Sequence, residues 1–449
     1  MLGPGREREI SGFSIDTRTI ARGDLFVAIR GDRFDGNAYV IDAVGKGAVG
    51  ALVSDAALAG AGDLAGTPLV VVPDTIAALQ TLANHVRRNS GAAVVAVTGS
   101  AGKSTTKEIT AEFLGARYTV FRNRGNLNNH IGLPLSLLEL RTKPDIGVLE
   151  LGMNHAGEIS ALVKIAEPEV RVWTNVGPAH LEFFGTVDAI AEAKAEILEG
   201  ADRDSLLVAN ADDDLVMRHA EKFAGRIRTF GVERPADVRA LAVRDLGLDG
   251  IAAIVRTPIG ETEIRSPLPG TANLSNVLAA AAVAIRFDVP LSDIVERAAG
   301  LRPIARRGEV IRAGGVTIVD DSYNSNPKAL SRALAVLAGE TAYARRVAVV
   351  GEMLELGPAS AGLHRAAGEE AARLEISELV TVGGANAKAM AEGAVNAGMP
   401  ASHVHHVEDS KAAADLASTL VKSGDVVLVK GSRGIRTELV VDRLKTGLA

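Results

Sequence analysis

Short apolar runs alternate with longer Ala-rich stretches along most of the 449 residues. Leu69–Val72, Ala92–Val97, Ile146–Leu151, Arg346–Val350, Leu379–Val382 and Val426–Val429 are such runs, rich in Val and nearly free of polar residues. A strand hidden on both faces needs an unbroken apolar run, and strands of that kind joined through helices form parallel sheets. The predicted fold class is α/β. Gly231–Pro269 breaks the rhythm with short strands and turns, which predicts a small extra sheet in the middle of the chain. A polar helix end near Asn89–Gly91 and the stretch Leu301–Pro303, between an amphipathic helix and Arg306–Arg307, mark two boundaries. They divide the chain into 1–90, 91–304 and 305–449, each of domain-like length. There is no fixed-period repeat and no low-complexity linker.

Aromatic residues make up only 3%, so the core must be built from Ala, Val, Leu and Ile. The net charge of −6 argues against nucleic acid or an anionic membrane as partner. The absence of cysteine excludes disulfides, thiolate metal sites and a cysteine nucleophile. No uncharged apolar run approaches the ~18–20 residues of a membrane span. Met1–Ile10 is charged and glycine-rich, without a signal-peptide core. A cytoplasmic protein is expected, with no membrane insertion and nothing demanding more than a monomer.

The clearest chemistry follows the run ending at Val97. Thr98, Gly99, Ser100, Ala101, Gly102, Lys103, Ser104 and Thr105 precede a helix expected from Thr106 onward. Glycines let the backbone turn its N–H groups towards an anion, and the helix N-terminus adds a favourable dipole. Lys103 can reach the outer phosphates and Ser104 can ligate Mg²⁺. Val97 stands where the commoner phosphate loop has its first glycine, so this is the shorter Gly-x-x-Gly-Lys-Ser version. These residues predict a nucleotide site.

Further residues are ambiguous on pattern alone. Glu150 ends a strand, where ligand crevices form in parallel sheets and an oxygen ligand suits Mg²⁺; an isolated Glu there is more often a surface charge. His180 lies in a turn after the strand Val170–Thr174, and spacing does not rank it above His155 or His130. Lys194 sits among charged helix neighbours, a pattern that by itself favours a solvated face.

Taken together, these segments resemble the Mur ligases, which build the peptide stem of the bacterial cell-wall precursor. Thr98–Thr105 looks like that family's ATP loop. Gly125–Pro134, Glu150–Asn154 with Gly157–Ile159, and Asn175–His180 through Ala193–Ile197 resemble its further signatures. Asp320–Pro327, Gly351–Gly357 with His364, and Lys430–Gly434 resemble the branch that adds a D-alanyl-D-alanine dipeptide. The Asp-Asn-Pro-Arg motif of relatives adding diaminopimelate is missing. Asp16–Arg18, Gly23–Ala28 and Gly31–Asn37 resemble the family's uridine-nucleotide-binding domain.

The resemblance implies three α/β domains: an N-terminal uridine-nucleotide-binding domain, a central parallel-sheet domain of the phosphate-loop ATPase kind, and a Rossmann-like C-terminal domain binding the incoming dipeptide. It implies ATP and Mg²⁺ as cofactors, and a UDP-N-acetylmuramoyl-tripeptide and D-alanyl-D-alanine as small-molecule substrates joined through an acyl phosphate. Gly99 to Thr105 would hold the nucleotide, Lys103 its phosphates, Asn273 the adenine, Asp321 the ribose and Arg307 a phosphate. Asn128 would lie near the γ-phosphate. Ser104 and Glu150 would serve one Mg²⁺, His180 and a carbamate on Lys194 a second. A neutral lysine amine can add CO₂ and become an anion. Thr17, Arg18 and Asp35 would face the uridine substrate, and Tyr323, Asn324 and Asn326 the dipeptide; the last three also suit a plain Asn-Ser-Pro turn. Ala272 and Asn37 stand where relatives often have His, and Lys328 where an acidic or small residue is usual. A single-amino-acid Mur ligase or a folylpolyglutamate-type ligase remains the alternative, and the 320–327 motif favours the dipeptide.

Overall fold

The computed structural model describes residues 9–31 and 34–448. Residues 1–8, most of the stretch expected to lack a signal core, lie outside the described residues, as do Asp32 and Arg33 of the Gly31–Asn37 segment. The rest gathers into two compact units. One holds the chain up to Ala96 with Tyr118–Met153 and Glu158–Pro168; the other holds Val97–Arg117, Asn154–Gly157 and the chain from Glu169.

The first unit opens with β1 (Gly12–Ser14), β2 (Asp24–Val27), β3 (Gly50–Val53) and β4 (Leu69–Val71), a parallel sheet in sequential order. Phe26, Ala28, Val40, Ala51, Val53 and Leu69 form its core. Asp74 caps the helix Thr75–Ser90 by accepting from the amides of Ile76 and Ala77, and Gly91 ends it at φ 76°. The helix therefore stops where the first boundary was expected.

Next come β5 (Ala93–Thr98), β6 (Val120–Arg122), β7 (Ile146–Glu150), β8 (Val170–Trp173) and β9 (Leu206–Asn210), then β10 (Arg226–Gly231), β11 (Val238–Asp245), β12 (Ile251–Thr257) and β13 (Gly260–Ser266). They hydrogen-bond in the order β13-β12-β11-β10-β9-β8-β5-β7-β6. The separate small sheet expected from Gly231–Pro269 does not form. Instead β11 pairs parallel to the open edge of β10, and β12 and β13 follow as an antiparallel meander. An unpaired edge is a ready template for further strands.

The last sheet comprises β14 (Glu309–Ala313), β15 (Val316–Asp321), β16 (Arg345–Gly351), β17 (Glu378–Val382), β18 (Val404–Val407) and β19 (Asp425–Lys430), in the order β14-β15-β19-β16-β17-β18. All pairs are parallel except β14–β15. Along β16, Val347 and Val349 join a core with Ala413, Ala417 and Val440, whereas Ala348 and Val350 join one with Leu330, Leu334 and Met390. Successive side chains leave a strand on opposite faces, so the unbroken apolar run feeds two helix layers at once. Burying one such Val contributes about 1.5–3 kcal/mol. Among the described residues no helix is long and apolar enough to cross a membrane.

Candidate active site

The phosphate loop leaves β5 at Thr98. Its helix runs Lys103–Leu114, starting three residues earlier than expected. Gly102, at φ 81°, makes the turn into it, and its carbonyl already accepts the Thr106 N–H at 2.8 Å. Lys103 and Ser104 thus occupy the first helical turn, with Ser104 buried. Gly99 sits at φ 147°, and a Cβ there would strike Thr174 Oγ1; one on Gly102 would lie 2.5 Å from Asn276 Oδ1. Both glycines are required by conformation, and at Gly99 Thr174 and the Asn175 backbone also leave no room for a side chain. Lys103 Nζ donates to Gly99 O at 2.9 Å, so the cation lies over the loop.

A further set of contacts holds the loop from behind. Asn175 Oδ1 accepts from Ala101 N at 2.9 Å, and Asn175 Nδ2 donates to Ala101 O at 3.0 Å. Ser100 N donates to Asn175 O, and Ser100 Oγ exchanges hydrogen bonds with the Gly177 backbone. Thr174 Oγ1 donates to Ala101 O at 2.7 Å. Residues 175–177 carry no charge to draw attention in the sequence; only their place in the family-like segment signalled them.

Lys194 overturns the solvated-face pattern. It lies in the last turn of the helix Val187–Ala195, which buries Ile190, Ala191 and Ala193, and only 2% of its side chain is exposed. Burial, with a smaller repulsion from the Lys103 charge, holds its amine well below the usual lysine range.

His180 adopts φ 60° just before the short helix Leu181–Phe184, and its Nδ1 lies 2.6 Å from Glu355 Oε2. The hydrogen bond from His180 outweighs burial and keeps the Glu355 carboxyl low. Among acids of the 351–357 stretch nothing in the sequence singled out Glu355. His364 is fully buried, with Nε2 accepting from Met353 N at 2.8 Å and Nδ1 donating to Ser360 O at 2.7 Å. It pins the turn that presents Glu355.

In the first unit Glu150 closes β7 with only 4% of it exposed, which removes the surface-charge alternative. Asn128 Nδ2 donates to Glu150 Oε1 at 2.9 Å, bringing those two expected residues together. Arg18 is exposed and chelates Asp16, whose carboxyl it draws down to about 2. Thr17 lies by Asp42 and its hydroxyl helps keep that carboxyl low, after the larger contribution of Lys46. Asp35 accepts from the amide and side chain of Asn37, which is buried and also bonds Ser54. Asn37 therefore acts as a brace for Asp35.

In the second unit Asp321 Oδ2 accepts from the buried Lys430 Nζ at 2.6 Å, and that amine also donates to Asn324 O. Tyr323 lies beneath two guanidiniums, with Arg307 at 4.1 Å and Arg433 at 5.6 Å from the ring centroid. Asn326 caps the helix Pro327–Gly339 through Ala329 N, and Asn324 Oδ1 accepts from Ser325 N. The turn role is thus real for both asparagines. Asn273 bonds Pro269 O at 2.8 Å in the first turn of the helix Thr271–Arg286.

A strand, a two-glycine loop and a helix carrying Lys103 and Ser104, with Lys194 buried, define a phosphate-loop α/β protein. Three family models match along the chain: the catalytic domain of the Mur ligase family at 9–87, the Mur ligase middle domain at 97–284, and the Mur ligase glutamate ligase domain at 306–433. The chain belongs to the Mur ligase family. It is 32% identical to the UDP-N-acetylmuramoyl-tripeptide--D-alanyl-D-alanine ligase of Bacillus subtilis (strain 168), covering 97% of this chain and 93% of that one. It is 34% identical to the enzyme of the same name from Escherichia coli (strain K12), covering 98% and 95%. Similar solved structures include MurF from Acinetobacter baumannii (TM-score 0.88, 32% identity, 97% and 94% covered). MurF ligase from Thermotoga maritima in complex with ADP is another (TM-score 0.84, 30% identity, 97% of each chain).

Proposed function

We propose that this chain joins D-alanyl-D-alanine to a UDP-N-acetylmuramoyl-tripeptide at the expense of ATP, a step of peptidoglycan precursor synthesis. The observation that carries this is near-full-length similarity to ligases of that name, with the phosphate loop intact. The tripeptide's terminal carboxylate attacks the γ-phosphorus of ATP, the bond to ADP breaks, and an acyl phosphate forms. The dipeptide amine then attacks the acyl carbon, loses a proton, and phosphate leaves. Carboxylate is a poor electrophile, and phosphorylation supplies the leaving group it lacks.

The chain's share is positioning and charge neutralisation. Lys103 and the loop amides hold phosphate oxygens, Arg307 adds a second cation, and Asn128 lies near the γ-phosphate. Asn273 and Asp321 take the nucleoside, Tyr323, Asn324 and Asn326 the dipeptide, and Thr17, Arg18 and Asp35 the uridine side. In this assignment 1–90, 91–304 and 305–449 serve uridine, ATP and dipeptide in turn.

Magnesium fits the available donors. Ser104 and Glu150 supply oxygens, and His180, with Nδ1 engaged by Glu355, keeps Nε2 for a ligand. Burial favours the uncharged form of the Lys194 amine, and that form can add CO₂ and release a proton, giving a carbamate anion. When bound, the ion would neutralise phosphate charge. Such a reaction on nucleotide precursors is cytoplasmic, and a monomer suffices for it.

Phosphate release from ATP with the uridine-linked tripeptide, measured across a panel of amines, tests the assignment. Release with D-alanyl-D-alanine is expected. Release only with diaminopimelate, lysine or glutamate would overturn it in favour of a single-amino-acid or folylpolyglutamate-type ligase.

A further inference from the structure

Lys328 breaks a local rule. It is the second residue of the helix Pro327–Gly339, where the helix dipole disfavours a cation. A local rule broken without gain marks a strained or functional position. The gain here lies across the fold. Lys328 Nζ donates to Val176 O at 3.3 Å and lies 3.7 Å from Asp213 Oδ2. Its stem covers Gly177, where an added Cβ would come within 3.3 Å of Lys328 Cδ.

Asp213 is almost wholly buried. Its Oδ2 accepts the Val176 N–H at 2.9 Å, while Oδ1 caps the helix Asp214–Ala220. A buried carboxylate needs a nearby positive charge as well as hydrogen-bond donors. Lys328 provides one, and Arg332, one helical turn on, also interacts electrostatically with Asp213. Val176 lies between Asn175 and Gly177, the residues that clasp Ser100 and Ala101 of the phosphate loop. At the other end, the Lys328 helix starts at Asn326, beside Asn324.

We propose that Lys328 is a positioning residue that ties the dipeptide-side segment 324–327 to the phosphate loop through Asp213 and Val176, so that filling one site tightens the other. The proposal rests on the ligase assignment above for what each site binds. The tie itself is a matter of these contacts.

The test uses the full chain with a non-hydrolysable ATP analogue and magnesium, titrated calorimetrically with and without D-alanyl-D-alanine, in the presence of the uridine substrate. In the unaltered protein the dipeptide should raise nucleotide affinity by about fivefold or more, the usual floor for coupled sites. Lys328→Met should abolish most of that factor, and Lys328→Arg should keep it. An unchanged factor in Lys328→Met, or none in the unaltered protein, overturns the tie. Amide exchange at Val176, Ser100 and Ala101 needs no substrate and separates this outcome from failure of the ligase assignment. Lys328→Met should speed exchange there and leave the β16–β19 amides unchanged. If the unaltered protein releases no phosphate with the dipeptide, the assignment falls and exchange alone judges the tie. Unaltered protection at Val176 and Ala101 in Lys328→Met then overturns it.

Discussion

His180 Nδ1 and Glu355 Oε2 meet at 2.6 Å although 175 residues separate them, and both residues hold positive φ, 60° and 63°. Non-glycine backbone in that region costs about 1–3 kcal/mol per residue and persists only where surroundings over-determine it. The Glu355 backbone also accepts the Glu182 N–H at 3.0 Å. Two strained turns thus hold one imidazole by its Nδ1.

Glu355→Gln keeps the shape and removes the charge. Phosphate release should fall by about 10–100-fold, the usual effect of losing a carboxylate behind a ligating histidine. The pair is partly exposed, so thermal unfolding should change little. Unaltered turnover in the variant would separate Glu355 from the reaction.

Lys194→Ala should lose on the order of 10²–10³ in rate, with partial recovery on adding small carboxylic acids that mimic the carbamate. Lys194→Met removes a buried amine that burial disfavours as a cation, and should be inactive yet at least as resistant to heat. Rate measurements on both, with a thermal melt of the second, check this. Wild-type activity in either would remove the carbamate from the mechanism.

Asn175→Ala strips Ala101 of a donor and an acceptor at once. Losing a buried partner costs about 1–3 kcal/mol, so nucleotide affinity should fall by roughly 5–150-fold. Calorimetry with a magnesium ATP analogue reads this directly, and unchanged affinity would show that the loop keeps its shape unaided.

Acid should weaken the turn around Met353 through His364. Burial pushes its imidazole below the ordinary 6.5, despite the hydrogen bond it donates to the Ser360 carbonyl and the nearby Glu352 charge. Below that value the unfolded chain takes up a proton that the folded chain resists. Stability therefore holds above about pH 6.5 and declines as pH falls towards the folded value. Denaturant midpoints across that range should drop in the wild type. They should drop less in His364→Gln, which starts lower but lacks the titrating ring; parallel curves would rule the ring out.

Much of this was legible in the residues themselves. β16 and β19 announce double-sided burial because nearly every position is apolar, and Gly99, Gly102 and Lys103 mark their loop because few other residues could make that turn and hold phosphate. Lys194 was not legible from pattern. A lysine in Ala193-Lys194-Ala195-Glu196 looks solvated, and only tertiary packing reveals its burial. Glu355 and Asp213 escaped for a related reason: each acts through a partner far along the chain, and nothing in local spacing encodes such a partner. Residues 238–266 were seen as strands but not as an extension of the large sheet, because sheet membership depends on which edge lies open.

Attack of the tripeptide carboxylate on the γ-phosphorus is the step on which every assigned role depends. With that carboxylate labelled with ¹⁸O and D-alanyl-D-alanine as amine, mass spectrometry of the released phosphate follows the oxygen itself. One labelled oxygen per phosphate is expected. Phosphate free of label, with amide product still accumulating, would contradict the acyl phosphate and the roles assigned around Lys103.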